Sequence, residues 1–168
     1  MTDVSAAGVY LGRSAGFAPC TAEAVTVLLD HYGIDCTGKR AVVIGRSPVV
    51  GRPAAMLLLE RNATVTVCHT RTQALSDVTR EADIIVSAAG AAGCLTAAHV
   101  RPGQTIIDVS ANWDAAKNTI VGDADFDAAA SIVDAITPVP GGVGAVTSAV
   151  LMRHVVQAAE RTLEGGKL

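Results

Sequence analysis

A glycine-rich loop between a predicted strand and a predicted helix has the residue types and spacing of a ligand-binding segment. The β-branched run Ala41–Ile44 leads into Gly45 and Ser47, and Gly51 precedes a helical stretch that opens at Pro53. Glycines allow the backbone to approach a phosphate, and a helix N-terminus offers unpaired N–H groups and a positive dipole end. The segment therefore predicts a nucleotide-phosphate site, although Gly-x-Ser-x-x-x-Gly differs from the Gly-x-Gly-x-x-Gly fingerprint.

The end of the second predicted strand, Thr64–Cys68, indicates which dinucleotide this loop would take. In dinucleotide folds an acidic residue there, about 20 residues beyond the glycines, binds the 2′-hydroxyl of NAD, whereas basic and hydroxyl groups accept the 2′-phosphate of NADP. Here the strand is followed by His69–Thr72, which carries no carboxylate, and Arg46 and Ser47 could reach the same phosphate. The pattern favours NADP over NAD; the alternative is an ordinary solvated loop.

Two further segments follow the third and fourth predicted strands, at Ser87–Gly90 and Asp108–Asn112. Ligands of open parallel sheets bind outside the carboxyl ends of the strands. Small residues at these ends would let the nicotinamide half of a cofactor lie against the backbone. Tight helix–strand packing is an equally good explanation for any one of them.

A loop rich in proline and glycine, Pro138–Gly144, lies between the last predicted strand and a helix with Thr147 or Ser148 as its N-cap. Such a loop could close over a ligand. It could equally be a rigid connector, and its spacing does not decide between the two.

Groups for acid/base or nucleophilic chemistry are not apparent from the sequence. No Ser/His/Asp or Cys/His arrangement stands out, and none of Lys39, Lys117 and Lys167 has the neighbours of an activated base. The four histidines and four cysteines lack metal-ligand spacing. The sequence thus predicts a cofactor site with no catalytic residue and no metal.

Strands and helices alternate along the chain, which predicts a doubly wound, Rossmann-type α/β domain with a parallel sheet and helices on both faces. Residues 1–19 and 110–130 are expected to be irregular, and Thr21 is the expected N-cap of the first helix. The predicted elements are helix 21–32, strand 41–44, helix 53–61, strand 64–68, helix 73–80, strand 84–87, a helical turn at 96–100, strand 105–109, strand 132–136 and helix 147–163.

Composition narrows the class of protein. Half of the residues are hydrophobic but only 3% are aromatic, as expected of an aliphatic core around a parallel sheet. A net charge of −3 without a Lys/Arg cluster disfavours nucleic acid and anionic membranes as partners. No apolar run approaches the roughly 20 residues of a membrane span, and the first residues lack a signal-peptide pattern. We expect a cytoplasmic protein with free thiols.

Segments in matching order over nearly the whole chain resemble the cofactor-binding domain of bifunctional methylenetetrahydrofolate dehydrogenase/cyclohydrolases. Each segment alone is unspecific, but together they are highly specific. The matching segments are Pro19–Thr21, Gly38–Ser47, Val50–Pro53, Asn62–Thr72, Ala82–Ile84, Pro102–Gly103, Val121–Asp123 and Ile136–Gly144.

The resemblance implies a reaction in which 5,10-methylenetetrahydrofolate gives a hydride to NADP⁺ and the methenyl product is hydrolysed to 10-formyltetrahydrofolate. It also implies a role for each matching site residue. Gly45, Arg46 and Ser47 would hold the phosphates, with Arg46, Ser47 and Thr70 nearest the 2′-phosphate; Gly90 and Ala111 would line the nicotinamide half, Thr147 would lie near the cofactor, and Pro140, Gly141 and Gly142 would border the folate cleft.

Some residues depart from the family pattern. Thr70 stands in place of Ser and keeps a hydroxyl, whereas Ala111 replaces a bulkier aliphatic residue and would contribute backbone contacts. The family's Tyr-x-x-x-Lys acid/base pair is absent, because Tyr10 is followed four residues later by Ser14 and Tyr32 by Cys36. We therefore expect the chain alone to bind NADP(H) with little or no turnover.

We expect one NAD(P)-binding domain over 1–168, with 1–20 a remnant of an inter-domain segment. Helix 147–163 would pack against the missing N-terminal catalytic domain and leave Leu151 and Val155 exposed. Exposed apolar surface favours self-association, and the resemblance implies a homodimer.

Two other functions fit parts of the pattern. One is a non-catalytic nucleotide-binding module, or a subunit of a split enzyme that needs a separate catalytic partner. The other is a different NADP oxidoreductase of the same fold, related to methylene-tetrahydromethanopterin dehydrogenase, against which Pro138–Gly144 argues.

Overall fold

The computed structural model of the protein describes residues 1–163. Most of its strands are short runs of β-branched residues. The strands are β1 Arg40–Ile44, β2 Thr64–Cys68, β3 Ile84–Ser87, β4 Thr105–Asp108, β5 Asn112–Asp114, β6 Thr119–Val121 and β7 Ala135–Ile136. Five of them form a parallel sheet in the order β2-β1-β3-β4-β7.

Helices connect these strands. They are α1 Asp3–Leu11, α2 Cys20–His31, α3 Gly51–Glu60, α4 Leu75–Arg80, α5 Phe126–Ala130 and α6 Val143–Leu163, with a short 3₁₀ helix at Ala97–His99. Parallel strands need such crossovers. The prediction of a doubly wound α/β domain is confirmed, and β1 to β4 lie within one residue of their predicted bounds.

The two faces of the sheet carry separate layers of helices. Ala41 and Val43 of β1 point into a core with α2, α3 and α6, whereas Val42 and Ile44 point into a second core with α4 and Ala129 of α5. Successive side chains of a strand alternate between faces. Burial on both faces explains why β1 and β3 are almost continuously apolar.

The N-terminal segment is helical, so the prediction that residues 1–19 are irregular is wrong. Thr2 caps α1 by accepting a hydrogen bond from the Ser5 nitrogen, and Gly12 closes the helix with φ of 61°. The helix packs against α3, and its Gly8 lies against the carbonyl of Ala15. Tertiary packing thus stabilises a stretch whose own helical periodicity is weak.

Three helices begin earlier than predicted. The N-cap of α2 is Pro19 and not Thr21, and α3 begins two residues before Pro53. A proline in the first helical turn loses no backbone hydrogen bond, so Pro53 tolerates this position. The last helix, α6, begins at Val143 rather than near Thr147. The prediction placed the start too late because the glycines after Pro140 are typical of a loop, although Gly144 is helical.

The segment 110–130 is also ordered, contrary to the prediction. Strands β5 and β6 pair as an antiparallel ribbon, and Asp125 caps α5 by accepting a hydrogen bond from the Ala128 nitrogen. Asn118 has φ of 50° at the turn between the two strands, a left-handed conformation that asparagine tolerates. This ribbon brings Asp123 back towards the carboxyl ends of β3 and β4.

Within residues 1–163, no helix combines the length and the apolar character that crossing a membrane requires. In the same part of the chain, no group of three or more His, Cys, Asp or Glu side chains is arranged to hold a metal ion.

Candidate functional site

The glycine loop after β1 is a tight backbone cradle. Gly45 has φ of 116°, and a Cβ there would overlap the carbonyl of Ala88 at the end of β3. A Cβ on Gly51 would overlap the carbonyl of Gly45. Only glycine satisfies both the backbone conformation and the close approach. The cradle predicted from the sequence is therefore present, and it contacts the neighbouring strand end.

The Ser47 side chain closes this cradle just before the start of α3. Its hydroxyl oxygen accepts hydrogen bonds from the backbone nitrogens of Val50 at 3.1 Å and Gly51 at 3.4 Å. The hydroxyl proton remains available to a further acceptor. Arg46, directly before it, is exposed and extends from the rim of the cradle.

The loop after β2 lies beside the cradle, because β1 and β2 pair in parallel with Ile44 opposite Cys68. The Gly45 nitrogen donates to the Cys68 carbonyl at 2.8 Å, which ties the two strand ends together. The following turn is held by the His69 nitrogen, which donates to Thr72 Oγ1 at 2.9 Å. This turn leaves Thr70 exposed on the same edge of the sheet as the cradle.

A fully buried carboxylate, Asp123, organises the ends of β3 and β4. It accepts hydrogen bonds from three successive backbone nitrogens and from three side chains. The donors are the nitrogens of Ala89, Gly90 and Ala91, the hydroxyls of Ser87 and Ser110, and the Asn112 amide, at 2.7 to 3.2 Å. Six donors exceed the roughly four lone-pair sites of a carboxylate, so several of them share an acceptor site on Oδ2. Asp123 therefore fixes the turn that contacts Gly45.

Asp108, the last residue of β4, is the second buried carboxylate. It accepts hydrogen bonds from the nitrogens of Ser110 at 3.1 Å and Ala124 at 2.8 Å. Burial raises the pKa of this carboxyl to about 6, the negative charge of Asp123 adds to the rise, and the two backbone donors oppose it. A Cβ on Gly122 would overlap the Asp108 carboxylate, so the chain comes as close here as it does in the cradle.

Gly90 and Ala111 lie where the two strand ends face solvent. The Gly90 nitrogen donates to Ser110 Oγ at 3.3 Å as well as to Asp123, and its φ is 66°. Both residues are exposed. No heavy atom lies within 4 Å of a Cβ built on Gly90, so the space above this turn is open. A planar group could therefore lie against the backbone here.

The segment after β7 is the third wall of the site. Thr137 ties it to β4, since its hydroxyl accepts from the Asp108 nitrogen at 2.8 Å. The Val139–Pro140 peptide is cis, and Gly141 has φ of 102° with open space around it. Gly142 is packed against Thr137 and Pro138.

Thr147 lies one turn inside α6, so its predicted role as an N-cap is wrong. Its hydroxyl donates to the Val143 carbonyl at 3.0 Å. The oxygen lone pairs are then the only hydrogen-bonding capacity that this side chain offers a ligand.

A cleft of about 490 Å³ adjoins these walls on the side of β5, β6 and α5. Asp108, Gly122, Thr137 and Val139 contribute to its lining, as do Lys117 and Phe126. The structure therefore gathers the predicted segments at one edge of the sheet, at the carboxyl ends of its strands, where open α/β sheets bind ligands.

Two arrangements were not apparent from the sequence. Asp123 was recognised only as part of a matching segment, because no spacing rule links it to donors that lie 11 to 36 residues away. The expectation that no Cys/His arrangement exists is wrong, since α2 and α6 bring Cys20, Glu23 and His154 into contact. Only the crossing of these helices, 131 to 134 residues apart in sequence, creates that cluster.

Comparison with known proteins identifies relatives over nearly the full chain. The family described as "Tetrahydrofolate dehydrogenase/cyclohydrolase, NAD(P)-binding domain" matches residues 19–163. The bifunctional protein FolD of Carboxydothermus hydrogenoformans is 55% identical over 157 residues, which cover 93% of this chain and 55% of that protein. The chain therefore spans about half the length of the curated relatives it matches.

Solved structures agree with this. FolD from Campylobacter jejuni superposes with a TM-score of 0.90 at 43% identity, covering 95% of this chain and 58% of that one. FolD from Trypanosoma brucei, solved with NADP cofactor and inhibitor, has a TM-score of 0.89 at 37% identity, covering 96% of this chain and 57% of that one. With the fold, the glycine cradle and these matches in agreement, the chain belongs to the tetrahydrofolate dehydrogenase/cyclohydrolase family, of which it represents the NAD(P)-binding domain.

Proposed function

We propose that this chain is the NADP-binding part of an enzyme that oxidises 5,10-methylenetetrahydrofolate to 5,10-methenyltetrahydrofolate and hydrolyses the product to 10-formyltetrahydrofolate. The observation that carries the proposal is the pairing of β1 with β2. Because Ile44 pairs with Cys68, the loops that carry exposed Arg46 and exposed Thr70 begin at neighbouring strand ends. When bound, NADP⁺ would supply the hydride acceptor.

The phosphates are assigned to the cradle. Gly45 and Gly51 leave the backbone free of side chains there, and Ser47 keeps a hydroxyl proton to donate. Arg46 and Thr70 would bind the 2′-phosphate, the first by a charge-assisted hydrogen bond. Because the turn His69–Thr72 carries no carboxylate, nothing in it favours the free 2′-hydroxyl of NAD.

The nicotinamide half is assigned to the open backbone at Gly90 and Ala111. Asp123 fixes this turn from below and would hold it in place before the cofactor arrives. Thr147 could accept a hydrogen bond from the carboxamide N–H₂ group, since its own proton is bonded to Val143. Pro140, Gly141 and Gly142 would form the border of the folate cleft.

The chain alone is expected to bind cofactor without appreciable turnover. Within residues 1–163, the two buried carboxylates at this edge, Asp108 and Asp123, are both engaged by backbone donors. These contacts assign both carboxylates to holding the backbone of the site, and the Tyr-x-x-x-Lys pair that the resemblance implies for the acid/base work does not occur in this sequence. Hydride transfer also needs the folate held against the nicotinamide at near-attack distance. We also propose that the protein is a homodimer and that it functions in the cytoplasm.

Calorimetric titration of the purified 168-residue chain with NADP⁺ and NAD⁺ tests the cofactor assignment. We expect binding of NADP⁺ and weaker binding of NAD⁺; failure to bind either would refute the proposed function. A spectrophotometric assay with 5,10-methylenetetrahydrofolate and NADP⁺ tests the second part. Robust turnover by this chain would contradict the proposal that its acid/base groups lie elsewhere.

A further inference from the structure

A cluster of a thiol, an imidazole and a carboxylate lies between α2 and α6, outside the site described above. His154 Nδ1 is 3.7 Å from Cys20 Sγ, and His154 Nε2 is 2.7 Å from Glu23 Oε2. Cys20 is half-buried at the first residue of α2. Nucleophilic cysteines are activated by an adjacent histidine that a third group orients, and this is the same set of contacts.

The hydrogen bonds fix the direction in which a proton can move. The Glu23 carboxylate can only accept, so Nε2 of His154 must carry a proton. In the neutral ring, Nδ1 then has a free lone pair directed at the Cys20 sulfur. The thiol can donate its proton to Nδ1, and the resulting thiolate would accept a hydrogen bond from the imidazolium. If the imidazole ring of His154 were flipped by 180°, its nitrogens would no longer face Cys20 and Glu23 in this way.

Surrounding residues hold the ring and the carboxylate in this orientation. Glu23 Oε1 accepts from Arg153 at 2.5 Å, so both of its oxygens are engaged. The Phe17 ring packs on the imidazole with a centroid distance of 4.8 Å. The guanidinium of Arg161 lies over the same Phe17 ring, 4.4 Å from its centroid. His154 itself is only 8% exposed. The charged groups around the imidazole are Glu23 from α2, Arg153 and Arg161 from α6, and Arg13 and Glu60, which line the same pocket as His154.

Within residues 1–163, no histidine is hydrogen-bonded to the sulfur of Cys36, Cys68 or Cys94. Burial raises the pKa of the Cys36 and Cys68 thiols. Burial, with the nearby Asp123 charge, raises the pKa of Cys94 to about 11. Since the thiolate is the reactive form, these three should be inert near neutral pH. Cys94 is a useful reference because it is half-buried, as Cys20 is.

We propose that Cys20 is a nucleophilic thiol, with His154 as its base and Glu23 as the group that orients the base, and that it is a site of modification by low-molecular-weight disulfides. His154 takes the thiol proton, and the Cys20 sulfur attacks one sulfur of the disulfide. A new S–S bond forms, the old one breaks, and the departing thiolate takes the proton from the imidazolium. The external disulfide is reduced to one free thiol and one protein-bound sulfur.

Incubation with oxidised glutathione, followed by peptide mass mapping, tests the site. We expect the glutathione adduct on the peptide that contains Cys20, at a rate about 100-fold or more above that on the Cys94 peptide, which is the lower end of general-base effects. Equal labelling of the two peptides, or faster labelling of Cys94, would overturn the proposal.

Variants separate activation from mere accessibility. His154→Gln should slow adduct formation at Cys20 by about 100-fold or more. Glu23→Gln should also slow it, because the amide no longer fixes the ring tautomer. Glu160→Gln, at an exposed position of α6 outside the cluster, is the matched control and should have a much smaller effect. Unchanged rates in both His154→Gln and Glu23→Gln would overturn the role of the histidine.

A pH profile of the labelling rate provides a readout that simple loosening would not reproduce. In the parent chain the rate should reach its plateau at lower pH than in Glu23→Gln. This variant keeps the imidazole and provides the comparison if His154→Gln does not fold. Superimposable profiles would contradict a His154–Glu23 relay.

Discussion

The carboxylate of Asp123 lies 2.7 Å from the backbone nitrogen of Ala89, although 34 residues separate them in sequence. This contact links the β5–β6 ribbon to the turn after β3. The preceding residue, Ala88, in turn lies against Gly45 of the cradle. One buried carboxylate thus holds together both halves of the proposed cofactor site.

Replacing this carboxylate should cost stability. In Asp123→Asn the amide N–H₂ group would face backbone donors, and at least one buried donor would lose its acceptor, which costs about 1–3 kcal/mol. We expect the free energy of unfolding in urea to fall by about that amount. Asp127→Asn, at an exposed position, is the control and should change it by less than about 0.5 kcal/mol. Equal stabilities would argue against the role assigned to Asp123.

The selectivity for NADP can be examined through Arg46. Arg46→Ala would remove the proposed charge-assisted contact to the 2′-phosphate, worth about 1.5–3 kcal/mol, so the Kd for NADP⁺ should rise by roughly 10- to 100-fold. The Kd for NAD⁺, which lacks the 2′-phosphate, should stay nearly constant in calorimetry. An equal loss for both would refute the assignment, and Arg80→Ala, an exposed arginine on α4, controls for net charge.

Glycine substitutions offer a matched pair. Gly45→Ala places a methyl group against the Ala88 carbonyl at φ of 116°, so it should lower the melting temperature and abolish NADP⁺ binding. Gly144→Ala meets open space on α6 and should stabilise the fold by about 0.5–1 kcal/mol. Calorimetric melting curves distinguish the two, and a neutral Gly45→Ala would show that the cradle tolerates a side chain.

Strands β1 to β4 were predictable because their signal is local. Ala41–Ile44 and Ile84–Ser87 are short apolar runs bounded by polar or glycine residues, and burial on both faces requires that composition. The glycine cradle was predictable for a similar reason, since it follows directly from a strand and precedes a helix. Resemblance added the identity of the family.

The remaining parts depend on contacts between distant segments. Helix α1 is held by its Thr2 cap and by packing on α3, and the ribbon at 112–121 exposes Trp113 and Ile120, so neither shows a clean periodicity. The start of α6 was misplaced because Gly144 suggests a loop. Asp123 and the Cys20–His154 contact exist only once the sheet and helices are assembled.

The raised pKa of Asp108 predicts a pH dependence of stability. The folded state holds this proton up to about pH 6, whereas the unfolded chain releases it near the ordinary value of 3.8. The Asp108 contribution is therefore present below the unfolded pKa and is lost as pH rises through that window, by on the order of 2–3 kcal/mol.

Urea unfolding at pH 4 and at pH 7 measures that contribution, with Asp108→Asn as the comparison. Other carboxylates, such as Asp83 with its lowered pKa, act in the opposite direction in both proteins. The difference between parent and variant therefore isolates Asp108: the parent should lose more, or gain less, stability between the two pH values. Parallel pH profiles would mean that the Asp108 proton is released at its ordinary pKa.

Self-association is the last expectation, and it rests on α6. As predicted, Leu151 and Val155 are exposed, by 49% and 59%, and Met152 and Val156 extend the apolar surface beside them. Exposed apolar patches of this kind mark interaction sites.

We expect light scattering to give about twice the mass of the 17.0 kDa chain. The double variant Leu151→Lys/Val155→Lys should give the monomer mass without loss of thermal stability, because neither side chain is part of the core. Ile120→Lys, at an exposed apolar position on β6, is the control and should leave the dimer intact. A parent chain that stays monomeric at high concentration would show that the apolar face of α6 is covered by something other than a second copy.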